Sequence, residues 1–134
     1  MDYFPLFLNL RGQTVLIVGG GDIALRKTDL MRRAGADVHI VAPELHPTLA
    51  TYVAAGQVSW TAQRFEAIAL PRVRLVIAAT DDDAINAQVS NAAHDANLLV
   101  NVVDDSEKSN AIFPAIVDRS PVVVAISSGG ASPV

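Results

Sequence analysis

Apolar runs alternate with helix-period segments along this chain. Residues 14–18, TVLIV, form a continuous β-branched run with glycines directly behind it. A run without polar alternation suits a strand covered on both faces. From Asp22 to Ala34, the residues Ile23, Leu30, Met31 and Ala34 recur on one helical face, and Gly35 stands where a helix ends in the left-handed region. Residues 37–42, DVHIVA, predict a second strand. Leu45, Leu49, Tyr52 and Val53 then predict a short helix closed by Gly56. QVSW (57–60) alternates like a shorter, more exposed strand, and VRLVIAAT (73–80) reads as a strongly apolar fourth. Asp82 to Ala96 predicts a helix with Ile85, Val89, Ala92, Ala93 and Ala96 inward and acids at its positive end. LLVNVV (98–103) is a fifth strand, with IFPAIV and PVVVAI as sixth and seventh.

Strands alternating with helices indicate successive βαβ units and an α/β fold. The expectation is a Rossmann-like, doubly wound, mostly parallel sheet in three α/β/α layers, formed as one domain over residues 1–134. A chain of 134 residues buries about two thirds of its unfolded surface around a single core. Hydrophobic residues make up 51% and charged residues only 18%, a balance that fits strands hidden on both faces. The net charge is −4 and the basic clusters are pairs, Arg26-Lys27 and Arg32-Arg33, which argues against nucleic acid as a partner. There is no cysteine, so disulfides and thiolate metal sites are excluded. The N-terminal MDYFPLFLNLRGQ lacks the form of a signal peptide, and no apolar run has the length of a membrane span. A cytoplasmic domain, with no membrane partner, is the expectation. The tail SSGGASPV is turn-prone and stops where another element could begin, as in a piece of a longer protein.

The glycines carry the first chemical signal. Gly19, Gly21 and Ala24 stand in the spacing G-x-G-x-x-A between a predicted strand and a predicted helix. Gly19 permits the tight turn, Gly21 the close approach of a pyrophosphate, and Ala24 the packing of helix on strand, with the phosphates at the helix N-terminus. A tight βα turn without a ligand is the plainer alternative. The acid that grips the ribose of NAD is usually found at the end of the second strand, here near Ala42. The first acid is Glu44, behind Pro43. No arginine stands there for the extra phosphate of NADP, which favours NAD; Glu44 as a simple helix start is the alternative.

In the strand order 3-2-1-4-5 the carboxyl ends of strands 1, 4 and 5 are neighbours, which brings Gly19–Gly21, Thr80–Asp83 and Asn101–Asp105 together at the ligand edge. Asp104 and Asp105 follow the fifth strand where a nicotinamide ring could lie, and one carboxylate there could take a proton as hydride leaves a substrate. A solvated turn is the competing reading. In the triple Asp81–Asp83, Asp81 or Asp82 is expected to cap the following helix. His39, His46 and His94 share no metal-ligand spacing, so no metal site is expected. Ser127 and Ser128 with Gly129 and Gly130 could donate to carboxylates or merely turn the chain.

Three segments, VLIVGGGDIALRK, VIAATDDDAIN and NVVDDSEKSNAIFPAIVDRSPVVVAISSGGASPV, together resemble the N-terminal NAD-dependent module of the sirohaem synthase family, the precorrin-2 dehydrogenase and sirohydrochlorin ferrochelatase. The resemblance implies NAD-dependent oxidation of precorrin-2, followed by insertion of ferrous iron as a substrate. It implies that Asp104 serves both steps, that cofactor contacts fall at Asp22, Ile23, Pro43 and Glu44 beside Gly19, Gly21 and Thr80, and that Ser128 is a substrate-region serine open to phosphorylation. Added negative charge there would repel a polycarboxylate tetrapyrrole. Two departures stand out. Ser109 occupies a position where the family commonly has cysteine. The family also continues into helices that pair two subunits into a homodimer, and often into a methyltransferase module. A nucleotide-sensing regulatory Rossmann domain is the alternative; it would carry its ribose acid at Ala42 and leave IFPAIVDRSP without a purpose.

Overall fold

The computed structural model describes residues 1–66, 70 and 72–129. The end of the turn-prone tail, residues 130–134, lies outside the described residues. Five strands, β1 (Thr14–Val18), β2 (Asp37–Val41), β3 (Ser59–Thr61), β4 (Leu75–Ala78) and β5 (Leu99–Val102), form one parallel sheet in the order β3-β2-β1-β4-β5. This is the expected order, in which the progression of strands reverses between β1 and β4.

Alternate side chains of each central strand enter two separate cores. Val15 and Ile17 of β1, Val38 and Ile40 of β2, and Leu75 and Ile77 of β4 pack under helices α1 (Asp22–Arg33) and α2 (Pro47–Ala54). Leu16, Val18, Val76, Ala78, Val100 and Val102 pack under α3 (Asp83–Asp95) on the other face. The result is the three-layer α/β/α arrangement, and it explains why β1 and β4 are apolar at nearly every position.

Two helical faces differ from the periodic reading. The buried stripe of α1 is Ala24, Thr28 and Met31, whereas Ala34 is an exposed cap residue. In α3 the buried positions are Asn86, Val89, Ser90 and Ala93, with Ala96 exposed. Polar residues were left out of the inward face by periodicity, yet Asn86 and Ser90 are buried because each has a partner: Asn86 bonds Thr80, and the Ser90 hydroxyl donates to the Lys108 carbonyl at 2.6 Å.

The sixth and seventh strands leave the main sheet. β6 (Ala115–Arg119) and β7 (Val122–Ile126) pair antiparallel as a separate hairpin. Every residue of β7 is exposed.

Candidate functional site at the carboxyl edge of the sheet

The β1–α1 turn is built for close backbone approach. Gly19 has φ +131°, and a Cβ there would collide with the Ala79 carbonyl at the end of β4. A Cβ on Gly20 would collide with the Glu44 carbonyl, while one on Gly21 would meet nothing within 4 Å. Two glycines therefore admit neighbouring backbone, and the third faces open space. Gly21 caps α1 without a side-chain bond, and the first helical hydrogen bond runs from Leu25 N–H to the Gly21 carbonyl. The N–H groups of Asp22, Ile23 and Ala24 precede that bond at the positive end of the helix, the arrangement that holds a pyrophosphate. A nicotinamide dinucleotide fits this cradle.

The loop after β2 closes the same turn. The His46 N–H donates to the Gly20 carbonyl at 2.6 Å, and His46 Nε2 lies 3.2 Å from the Asp22 carboxylate. Its Nδ1 accepts the Thr48 N–H and so caps α2. Pro43 and Glu44 are exposed on this loop beside Gly20. Thr80 stands at the tip of β4, its hydroxyl donating to Asn86 Oδ1 at 2.7 Å, and Asp82 caps α3 by accepting the Ala84 and Ile85 N–H groups.

The two adjacent acids after β5 are separated by a twist in the backbone. Asp104 has φ +61°, the left-handed region that non-glycine residues adopt sparingly. Asp105 turns back into the fold. Its carboxylate accepts from Lys108 Nζ at 2.7 Å and from the Lys108 N–H, which holds its carboxyl below the usual carboxylate range. Ser109 latches the loop: its hydroxyl donates to the Asp105 carbonyl at 2.8 Å and accepts the Val102 N–H at 2.8 Å. Ser109 is thus a hydrogen-bonding strut of the loop that carries the acids.

Asp104 is exposed and takes part in none of the ion pairs among the described residues, which are Arg33–Asp118, His46–Asp22 and Lys108–Asp105. It lines a cavity of about 590 Å³ between the β5 tip and the hairpin, where Lys27, Phe113, Ile126, Ser127 and Ser128 also lie. That volume falls in the range of small-molecule sites. Lys27 was read in sequence only as part of a basic pair. Its ammonium stands 4.1 Å from the centroid of the Phe113 ring, and burial lowers its pKa from the ordinary lysine value while the Asp104 carboxylate acts to raise it. Lys27 lies on the second turn of α1, the helix that starts at the glycine turn, and lines the same cavity as Asp104. Among the described residues there is no group of three or more histidines and acids able to hold a metal, and no helix is long and apolar enough to cross a membrane.

A parallel sheet whose strand order reverses between β1 and β4, with a glycine turn opening onto a helix that has no side-chain cap, defines a Rossmann-type dinucleotide-binding domain. The sequence matches the NAD_binding_7 family, described as "Putative NAD(P)-binding", over residues 6–115, and the chain belongs to that family. It is 59% identical to siroheme synthase 1 of Pectobacterium atrosepticum, 52% identical to siroheme synthase 1 of Serratia proteamaculans and 54% identical to siroheme synthase 1 of Cronobacter sakazakii. Each alignment covers 100% of this chain and 28% of the relative, so the chain spans little more than a quarter of those proteins. Among solved structures it is similar to SirC, a precorrin-2 dehydrogenase, with a TM-score of 0.84 and 32% identity over 98% of this chain and 64% of that one.

Proposed function

We propose that this chain is the dehydrogenase module of a sirohaem synthase, oxidising precorrin-2 to sirohydrochlorin with NAD. The observation that carries the reading is the separation of the two acids: Asp105 is committed to Lys108, while Asp104 faces the cavity between the β5 tip and the hairpin. Bound NAD supplies the hydride acceptor. The glycine turn and the N-terminus of α1 hold its pyrophosphate, through Gly19, Gly21, Asp22 and Ile23, and the Pro43–Glu44 loop lies where the ribose would sit. No arginine stands on that loop, which favours NAD over NADP. Thr80 borders the cofactor edge from β4. Asp104 removes the proton that the macrocycle releases as it is oxidised.

Ferrous iron is the second substrate in this reading. The macrocycle nitrogens supply its coordination, and Asp104 accepts protons displaced by the metal. Ser128 lines the same cavity, so phosphorylation there would place negative charge against an acidic tetrapyrrole. Helices beyond Val134 would complete the cavity and pair two subunits. The relatives are sirohaem synthases and a dehydrogenase, which does not favour a nucleotide sensor.

The test is to mix the full-length protein with NAD and enzymatically generated precorrin-2 and to follow reduced nicotinamide. Wild-type protein is expected to produce it and Asp104→Ala is not. A protein that binds NAD but leaves it unreduced in the presence of precorrin-2 is a sensor, and the reading fails.

A further inference from the structure

Lys27 is half-buried in the wall of the Asp104 cavity, and among the described residues its ammonium makes no hydrogen bond or ion pair and stands over the Phe113 ring. Cation–π contact steadies an ammonium but satisfies none of its N–H donors. An ammonium drawn partly out of water without an acceptor is unfavourable, and the nearby carboxylate of Asp104 acts on it through space without forming an ion pair. Had that pair closed, Asp104 would be neutralised in the way Asp105 is by Lys108. The two charges instead face one cavity from opposite elements, one at the β5 tip and one on α1. The ring of Phe113, packed against the core under α1, props the ammonium in that position.

We propose that Lys27 is a substrate-anchoring residue, binding a carboxylate side arm of the acidic tetrapyrrole so that the macrocycle lies over Asp104. This rests on the dehydrogenase reading above for the identity of the ligand, and on the cavity alone for its charge class. An incoming carboxylate supplies the acceptor that the buried ammonium lacks, and a charge-assisted hydrogen bond at a half-buried site is stronger than one in bulk water. Neutral or cationic macrocycles find no such partner, so Lys27 sets specificity for anionic ones.

The experiment uses the full-length protein and uroporphyrin, a porphyrin with carboxylates on every side arm, followed by fluorescence titration. Lys27→Met and Lys27→Gln are expected to weaken uroporphyrin binding about tenfold, while Lys27→Arg retains most of it. The difference shrinks as salt is added. In turnover the KM for precorrin-2 rises by a similar factor in the neutral variants and kcat changes much less. Unchanged uroporphyrin affinity in both neutral variants overturns the proposal, as does weakened NAD binding with uroporphyrin binding intact. Thermal melts show which variants fold. If Lys27→Met does not melt cooperatively, the Gln and Arg variants carry the comparison. Lys27-dependent uroporphyrin binding by a wild-type protein that never reduces NAD with precorrin-2 supports the anchor and rejects the dehydrogenase reading.

Discussion

β1 and β7 are five-residue strands of nearly the same composition, TVLIV and VVVAI, in opposite environments. Ile17 of β1 is 0% exposed, between strands on both edges and helices on both faces, whereas Val124 of β7 is 45% exposed. Apolar composition therefore marks a strand but does not say what covers it. The contrast between closed and open neighbours recurs at smaller scale within the site. Gly20 is closed by the Glu44 carbonyl and Gly21 is open; Asp105 is closed by Lys108 and Asp104 is open. In each pair the closed member holds the fold and the open one is left for a ligand or a partner.

The largest expected effect tests the strands themselves. Ile17→Ala should cost about 2–5 kcal/mol, because the cavity it leaves cannot collapse between two packed layers. Val124→Ala should change the stability of the same chain by no more than about 0.5 kcal/mol. Urea denaturation of both variants checks this. Equal losses would mean that the hairpin is covered in solution and that the contrast is false.

The acids come next. Asp104→Asn should lower the rate of NAD reduction about a hundredfold or more while leaving the denaturation midpoint near wild type. Asp105→Asn should do the reverse, lowering the midpoint by loosening the Ser106–Lys108 turn and sparing most activity. The Asp105 carboxyl is held below its ordinary range, so its contribution is present above the unfolded carboxylate pKa and is lost as pH falls through the folded one. A third pair is smaller. Gly20→Ala pushes a methyl group into the Glu44 carbonyl and should cost about 1–3 kcal/mol. Gly21→Ala meets nothing within 4 Å among the described residues and should lose NAD affinity at unchanged stability, as isothermal titration beside thermal melting would show.

The sheet order was legible because three of its strands announce themselves: TVLIV, VRLVIAAT and LLVNVV are too apolar to face water, and the glycine spacing orients the first of them. The carboxyl edge followed from that order. What periodicity missed were buried polar residues. Asn86 and Ser90 lie in the inward stripe of α3 with hydrogen-bond partners, and Thr28 in that of α1 with its hydroxyl unpaired among the described residues; a hydrophobic pattern has no means of counting them. Asp104 and Asp105 are adjacent in sequence, and the left-handed backbone at Asp104 and the Lys108 bonds to Asp105 give them different surroundings that the sequence does not announce. Lys27 escaped notice because a basic pair on a helix ordinarily means a solvated face; the Phe113 ring that draws it inward is 86 residues away in the chain.

Intermediate in exposure between the closed centre and the open hairpin is the β2–β3 edge, where the contrast can be titrated. His39 on β2 is partly buried, its Nε2 lies 2.7 Å from the Thr61 hydroxyl on β3, and burial lowers its pKa from the ordinary histidine value. The folded protein therefore resists a proton that the unfolded chain accepts. Stability should fall as pH drops below the unfolded value of 6.5, and this contribution should level off once pH has passed the folded value. His39→Gln keeps a hydrogen-bonding group on β2 and removes the titration, so its urea midpoint should change less than that of wild type between pH 7 and about pH 5.5. Parallel curves would place His39 in water in solution and move the closed region of the sheet inward to β2–β1.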